Sequence, residues 1–375
     1  MLTSRIDTEP QRLDYLDSVR GIAAMMVVIY HFIGWNWPDY TKFHVASMVF
    51  NGADAVSFFF VLSGFVLSYK YFQSDKEIKM GNYIYKRILR LYPAFIFTII
   101  VNYLYWNRAL LLEGNCIPVL KDMFLNNDQK LWEELAMVRL AHKFYIPGWT
   151  LGVEMVLSLV VPALVYLSRK NIKMIWWVIP MSIFIENHFS SFALHFVLGI
   201  MLAYYYPQIK EYDFSKSKYW KFRYFIALIV FLLFSVRHIR RIFPFGSTYD
   251  SVAEYLNIDM FHYTGIASAL ILLFIINNRP AQKILTNGLW LFLGKISYSV
   301  YLAHWLVVVH VMKYWDHYIA MFPNFYLGFF CLLLLVILIT ITCATLMYYF
   351  IEKPFRNRNF IYLIFNILNV IAISN

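Results

Sequence analysis

Apolar runs of about 20 residues recur along the whole chain, and they constrain the fold more than any other feature of the sequence. A helix needs about 20 consecutive apolar residues to cross the hydrocarbon core of a bilayer. Hydrophobic residues make up 61% of the 375 positions, and charged residues make up only 15%. This composition is too apolar for a soluble domain of this size. The sequence therefore predicts an all-α polytopic integral membrane protein.

Ten segments are predicted to cross the membrane, and their boundaries follow the apolar runs. They are residues 15–36, 51–71, 88–106, 149–168, 173–187, 191–206, 222–240, 259–277, 290–312 and 325–350. Since no internal repeat or low-complexity linker interrupts the pattern, residues 1–375 are interpreted as a single domain. The tail at 360–373 is apolar but short, and it is predicted to be an interfacial helix or an incomplete span.

The charges of the loops predict the topology, because cytoplasmic loops carry an excess of Lys and Arg. Cations concentrate in alternate loops, and this pattern places both termini in the cytoplasm. The exception is segment 237–258, where Arg237, Arg240 and Arg241 would face outward. The formal charge of +11 is assigned to this loop bias and to anionic ligands. No motif of a nucleic-acid-binding module is present, so no nucleic-acid partner is predicted.

The first apolar run, Leu13 to Phe32, carries an arginine near one end and a histidine near the other. Arg20 and His31 are eleven positions apart, which at 100° per residue is about 20° from three full turns. The two side chains therefore share one helix face, roughly 16 Å apart along its axis. Asp17 lies on the same side, about one turn before Arg20. A polar group inside a span is costly unless paired, so His31 is a functional candidate, or else a histidine satisfied by a neighbouring helix.

Two carboxylates are predicted to lie at a membrane depth similar to that of His31. Asp54 is near the outer end of the second span, and Glu154 is near the outer end of the fourth. A carboxylate beside an imidazole sets its tautomer and raises its basicity. The alternative for Asp54 is that it caps its helix beside Gly52. For Glu154 the alternative is a purely structural role.

The third span begins with the sequence KRILRLYP, in which Arg87 and Arg90 share a helix face at the predicted cytoplasmic mouth. Together with Arg20, these arginines could converge on one inner vestibule. Arginine is suited to bidentate binding of phosphate. The alternative is that they are ordinary cations of a cytoplasmic loop.

The ninth span carries a polar stripe, because Ser297, Tyr301 and His304 follow at i, i+4 and i+7. His304 could be a second catalytic histidine, a substrate hydrogen-bonding residue or a packing residue, and a supporting role is favoured. The ten histidines do not form HxxxH or HExxH spacing on one helix, so no metal site is predicted.

Six motifs follow one another in an order that resembles the membrane-bound acyltransferase-3 family over essentially the whole chain. They are LDSVRGIAAMMVVIYHF, GADAVSFFFVLSGF, RILRLYP, GWTLGVE, ISYSVYLAH and IEKPFR. The resemblance implies about ten transmembrane helices around a central acyl-transfer cavity in a bacterial cytoplasmic membrane. It also implies transfer of an acyl group, usually acetyl from acetyl-CoA, to a hydroxyl of a carbohydrate. The acceptor is expected to be O-antigen, another surface polysaccharide or its lipid-linked precursor.

The resemblance suggests roles for the polar residues. The catalytic candidates are His31, as general base, with Glu154 or Asp54 orienting it. The candidates for binding the phosphates of acetyl-CoA are Arg20, Arg87 and Arg90. The supporting or substrate-binding candidates are Asp17, Ser63, Trp149, Ser297, Tyr301 and His304. The expected partners are the bilayer and the carbohydrate acceptor, whereas the oligomeric state and the donor for an oxyanion are left open by the sequence. Direct transfer and relay through an acyl-histidine or acyl-serine, with Ser63 as the serine, both stay open.

Two other classes of protein compete with the acyltransferase interpretation. A proton-coupled transporter or flippase could use His31, Glu154 and His304 as a relay, but such proteins often show repeated halves and interrupted helices. A non-catalytic partner in polysaccharide assembly has no use for polar residues buried at matching depths. Neither alternative accounts for the residue pattern as well.

Overall fold

The fold is taken from a computed structural model. The structure describes residues 12–37, 48–74, 77–114, 117–119, 121, 134–135, 137, 145–189, 192–242 and 260–357. Within these ranges the regular elements are all helices and no strand occurs. The predicted all-α class is therefore confirmed for the described residues. The tail at 360–373 and most of the segment 107–148 lie outside them.

The helices are numbered in chain order. The first seven are α1 (Asp14–Asn36), α2 (Gly52–Phe72), α3 (Met80–Trp106), α4 (Arg108–Leu112), α5 (Trp149–Lys170), α6 (Lys173–Phe189) and α7 (Ala193–Tyr204). The next five are α8 (Tyr206–Glu211), α9 (Arg223–Phe234), α10 (Val236–Ile242), α11 (Met260–Asn277) and α12 (Arg279–Leu285). The last four are α13 (Gly288–Lys313), α14 (Trp315–Ile319), α15 (Phe325–Met347) and α16 (Lys353–Phe355), with a π-helical stretch, Tyr348–Glu352, between α15 and α16.

The described residues of each of the ten predicted segments are mostly helical, but not every helix is long enough to cross a bilayer. Among the described residues, six helices have the required length and apolar character: α1, α2, α3, Ile146–Lys170, α13 and Phe325–Phe355. A seventh span results if α11 and α12, which are bent by 93°, are counted as one. Helix α7 has 12 residues, which corresponds to about 18 Å. The structure thus supports a polytopic membrane protein, whereas the number of ten spans and the cytoplasmic termini stay predictions.

The chain separates into two compact units. The first unit comprises Met1–Ile78 and Val156–Ser297, and the second comprises Lys79–Met155 and Tyr298–Asn375. Two of the three unit boundaries fall inside helices, one in α5 and one in α13. The interpretation of the chain as one domain stays a prediction.

The first unit is built around α2, which packs closely against α7. A Cβ atom at Gly64 of α2 would lie 2.1 Å from the carbonyl oxygen of Phe196. One at Gly199 of α7 would lie 2.0 Å from the carbonyl oxygen of Val61. Small residues let helix backbones approach closely in a membrane, where van der Waals packing drives association. These two glycines therefore set the distance between α2 and α7.

The second unit is built around the buried face of α3. Leu91, Phe95 and Ile99 recur at i and i+4, so they form one apolar stripe on this helix. The stripe belongs to a core that also contains Leu302 and Trp305 of α13. Helices α3 and α13 thus share one core. This packing fixes the positions of the polar side chains that these two helices carry.

Candidate functional site

In the first unit, Arg20 and His31 lie on one uninterrupted helix, α1. The Nη1 atom of Arg20 is 3.0 Å from Oδ1 of Asp17. The other oxygen of Asp17 is 2.9 Å from Nη2 of Arg12. The carboxylate of Asp17 is therefore shared by two guanidinium groups, and it holds Arg20 in a defined orientation on its helix.

The imidazole of His31 is oriented by its own helix. One ring nitrogen forms a hydrogen bond with the backbone of Val27, one turn earlier. Because a carbonyl oxygen can only accept, this ring nitrogen carries the proton, and in the neutral ring the other nitrogen carries the lone pair. The ring also contacts Tyr30 edge-on, with 5.5 Å between the ring centroids. This arrangement suits a general base.

Asp54 is buried at the start of α2 and pairs with an arginine that the sequence analysis did not assign to the site. Its Oδ1 atom is 3.4 Å from Nη1 of Arg237. Asp54 does not cap its helix, so that alternative is wrong. The cap is Asn51, whose side chain accepts a hydrogen bond from the backbone N–H of Asp54 at 3.2 Å. The feature of the sequence that could have indicated a role for Arg237 is its position in segment 237–258, which does not follow the positive-inside rule.

In the second unit, Arg87 of α3 forms an ion pair with Glu154 of α5. The distance from Nη2 to Oε1 is 2.8 Å, and the side chain of Arg87 is almost completely buried. The two groups therefore lie at one depth. The predicted topology puts Arg87 at the cytoplasmic mouth and Glu154 near the outer surface, and these two depths are not compatible with the contact.

Arg90 completes a charged group around Tyr298 on α13. The hydroxyl of Tyr298 donates to the carbonyl of Leu91 at 2.7 Å, and it lies within electrostatic range of both arginines and of Glu154. Arg87 and Arg90 are thus brought together on one side of the second unit, as their spacing predicted. Neighbouring Ser299 donates to Glu352 at 2.9 Å.

A buried network surrounds Tyr301 and His304. The Tyr301 hydroxyl donates to the carbonyl of Pro147 at 3.0 Å and lies 2.7 Å from the hydroxyl of Thr150. The carbonyl of Tyr301 is 2.6 Å from Nδ1 of His304 and accepts from the hydroxyl of Tyr145, also at 2.6 Å. A proton on Nδ1 leaves the lone pair of His304 on Nε2. Burial holds the pKa of the Tyr145 hydroxyl well above its usual value, so this group stays a donor.

Thr150 and Tyr145 were not predicted as site residues. The motif GWTLGVE includes Thr150, but no spacing rule connects it to α13. Of the remaining candidates, Ser297 donates to the carbonyl of Gly294 within its own helix at 2.8 Å. Trp149 is the first residue of α5, and Ser63 lies half-buried on α2. Their supporting roles stay predictions.

The described residues contain no group of three or more His, Cys, Asp or Glu side chains that could hold a metal ion. The expectation of a metal-free site stays a prediction. The described residues supply the ion pairs Arg87–Glu154 and Arg237–Asp54 and the oriented histidines His31 and His304. Apolar helices that carry buried ionisable groups are typical of a polytopic membrane protein with a functional site among its helices.

The family of this membrane protein follows from comparison with known proteins. A family model described as an acyltransferase domain matches residues 13–349, which is nearly the whole chain. The chain belongs to the acyltransferase-3 family, and the resemblance to this family is confirmed. No solved structure matches the chain.

Several curated proteins are similar to this chain. A protein of Staphylococcus aureus strain COL, provisionally named an O-acetyltransferase, is 26% identical over 91% of this chain and 57% of its own length. The O-acetyltransferase OatA of S. aureus strain NCTC 8325 is 23% identical over 94% of this chain and 58% of its own length. The O-acetyltransferase PaAT-1 of Phomopsis amygdali is 29% identical over 32% of this chain and 28% of its own length. The chain thus spans a little over half the length of the S. aureus relatives.

Proposed function

We propose that this protein is a membrane O-acyltransferase that moves an acetyl group from acetyl-CoA to a hydroxyl of a carbohydrate. The acceptor is a surface polysaccharide such as O-antigen, or its lipid-linked precursor, and the enzyme works in the bacterial cytoplasmic membrane. The observation that carries the proposal is the family match over residues 13–349, which includes every proposed site residue. The names of the S. aureus and P. amygdali relatives, all O-acetyltransferases, support acetyl as the transferred group.

The donor would be held through its phosphates. Arg20 and Arg87 each use one side of the guanidinium for a carboxylate, Asp17 and Glu154 respectively. A guanidinium has five N–H donors, so an arginine fixed in this way still has donors for a phosphate oxygen. Arg90 adds a third positive charge in the second unit. These residues fit the chemistry of an anionic donor.

The transfer would begin at His31. Its unprotonated ring nitrogen takes the proton from the acceptor hydroxyl as the acceptor oxygen bonds to the thioester carbon. The carbon–sulfur bond then breaks, and the protonated imidazole returns the proton to the departing thiolate. The products are the O-acetylated carbohydrate and CoA with a free thiol, and His31 is restored. The hydrogen bond from His31 to Val27 supports this role because it determines which nitrogen holds the lone pair.

The experiment is to replace His31 with Ala in a strain that lacks the native copy, and to analyse the acetyl content of the surface glycans by mass spectrometry. The matched control is His317→Ala, since His317 is an exposed histidine on α14. We expect His31→Ala to abolish acetylation at normal protein level and His317→Ala to retain it. Full acetylation in the His31→Ala strain would remove His31 from the mechanism.

A further inference from the structure

Asn51 caps α2 from a fully buried position. Its residue exposure is 0%, and its Oδ1 atom accepts from the backbone N–H of Asp54 at 3.2 Å. Only the amide oxygen can accept a hydrogen bond from a backbone N–H. The cap therefore determines the orientation of the amide, and it turns the Nδ2 group away from the helix into the protein.

The Nδ2 group of Asn51 has no hydrogen-bond partner among the residues that the structure describes. A buried donor without a partner is destabilising, and in native proteins such a group calls for an explanation. Capping does not require burial, as a second asparagine in this chain demonstrates. Asn324 caps α15 in the same manner, accepting from the N–H of Leu327 at 2.9 Å, but it is exposed to solvent.

The buried cap lies beside the part of α1 that carries His31. A Cβ atom at Gly52, the residue after Asn51, would lie 2.7 Å from the Cβ of Tyr30. Only glycine permits this approach, which brings the start of α2 directly onto α1 at Tyr30. His31 is the next residue along α1. The amide of Asn51 and the imidazole of His31 thus belong to one local region of the first unit.

The electrostatics of this region favour an oxygen that carries negative charge. The first turn of a helix carries partial positive charge on its N–H groups. Asp54 in that turn would oppose an anion, but Arg237 lies 3.4 Å from its carboxylate and compensates the charge. A neutral amide N–H donor in a buried setting is the type of group that stabilises an oxyanion.

We propose that the side-chain amide of Asn51 binds the carbonyl oxygen of the acyl group. This inference rests on the proposed acyltransferase function. When the acceptor oxygen bonds to the thioester carbon, the carbonyl π electrons move to that oxygen and the hydroxyl proton moves to His31. The N–H of Asn51 donates to the oxygen as its charge develops. When the carbon–sulfur bond breaks and the carbonyl forms again, Asn51 is unchanged.

The test uses Asn51→Ser and Asn51→Gly, which remove the amide donor without burying a charge, since Ser is similar to Asn as a cap and Gly is only slightly weaker. The matched controls are Asn324→Ser and Asn324→Gly. Each variant is expressed in the native host after deletion of the chromosomal copy of the gene. Transfer of radiolabel from acetyl-CoA into glycan is then measured in membranes of these cells. Affinity for acetyl-CoA and thermal stability are measured on the purified full chain.

Removal of one oxyanion donor commonly lowers kcat by about 100- to 1,000-fold. We expect a loss of this size in kcat for both Asn51 variants, with wild-type affinity for acetyl-CoA and wild-type stability, and no change in the Asn324 variants. Near-normal kcat in either Asn51 variant would overturn the proposal. So would a loss of stability or of acetyl-CoA affinity that matches the loss of rate, because Asn51 would then be structural. Failure of the wild-type protein to transfer label would instead overturn the proposed function.

Discussion

Two of the ion pairs among the described residues, one in each unit, have a buried member and are built in opposite ways. In the second unit the cation is buried, since the side chain of Arg87 is 6% exposed and that of Glu154 is 23% exposed. In the first unit the carboxylate is buried, since Asp54 is 0% exposed and Arg237 is 21% exposed. The more exposed member is therefore the carboxylate in one pair and the guanidinium in the other.

The comparison also teaches which member of each pair depends on the other. A buried charge that loses its partner is strongly destabilising, whereas a partly exposed one can be hydrated. Asp54 can escape this penalty by taking up a proton, but Arg87 cannot lose its own. Loss of a partner should consequently destabilise the protein more at Arg87–Glu154 than at Asp54–Arg237.

The largest effect on stability is expected from Glu154→Gln. This change leaves the buried guanidinium of Arg87 without a carboxylate, and breaking a buried pair in this way costs about 3–5 kcal/mol. Arg87→Gln should cost less, because Glu154 is partly exposed. Chemical denaturation of the purified protein in mixed micelles measures both. Equal losses would show that the exposure of the two partners does not decide the effect.

A smaller loss, about 1–3 kcal/mol, is expected from Arg237→Gln, because Asp54 can become protonated when its partner is removed. The loss should therefore shrink as the pH is lowered, since protonation removes the unpaired charge. Asp54→Asn, which removes the buried charge itself, should destabilise less than Arg237→Gln at neutral pH. Denaturation curves at several pH values measure this. A loss in Arg237→Gln that does not vary with pH would contradict the explanation.

Binding of acetyl-CoA tests whether Arg90 contributes to holding the donor. Arg90→Ala should weaken binding about tenfold, which corresponds to about 1.4 kcal/mol. Arg279→Ala is the control, because Arg279 is an exposed arginine at the start of α12. Affinity measured on purified protein at moderate salt decides the matter. If both variants bind like the wild type, the RxxR spacing reports topology and not the donor.

The smallest effects are expected in the neutral network of the second unit. Thr150→Val and Tyr301→Phe each remove one hydroxyl from a pair that lies 2.7 Å apart. Each should cost about 0.5–1.5 kcal/mol, as is usual for a neutral hydrogen bond. A double-mutant cycle measures their coupling. A coupling energy as large as that between Arg87 and Glu154 would contradict the prediction that the neutral network contributes less to stability than the ion pair.

Much of the fold follows from periodicity and apolar length. The helical class and the position of each apolar segment are readable because backbone groups in a bilayer must be satisfied within the helix. The shared helix of Arg20 and His31, and the common side of Arg87 and Arg90, follow from 3.6 residues per turn. The number of spans is harder to predict from the sequence. Helix α7, for example, is apolar but has only 12 residues, fewer than the about 20 that a span needs.

The contacts between helices could not be predicted from the sequence. The contact of Glu154 with Arg87, a residue 67 positions away, was not predicted. Arg237 and Asp54 are 183 positions apart. Helical periodicity tells which residues share a face, but it does not tell which faces meet. Asn51 was missed for the related reason that the burial of a cap depends on its neighbours.

The most direct test of the account is acetyl transfer by the purified protein. The full chain is reconstituted in proteoliposomes with a glycolipid extract of the host and acetyl-CoA labelled in the acetyl group. The account predicts base-labile label on the glycan with the wild-type protein and none with His31→Ala. Label that forms equally with the His31→Ala protein, or no ester with the wild type while its binding of acetyl-CoA is intact, would contradict it.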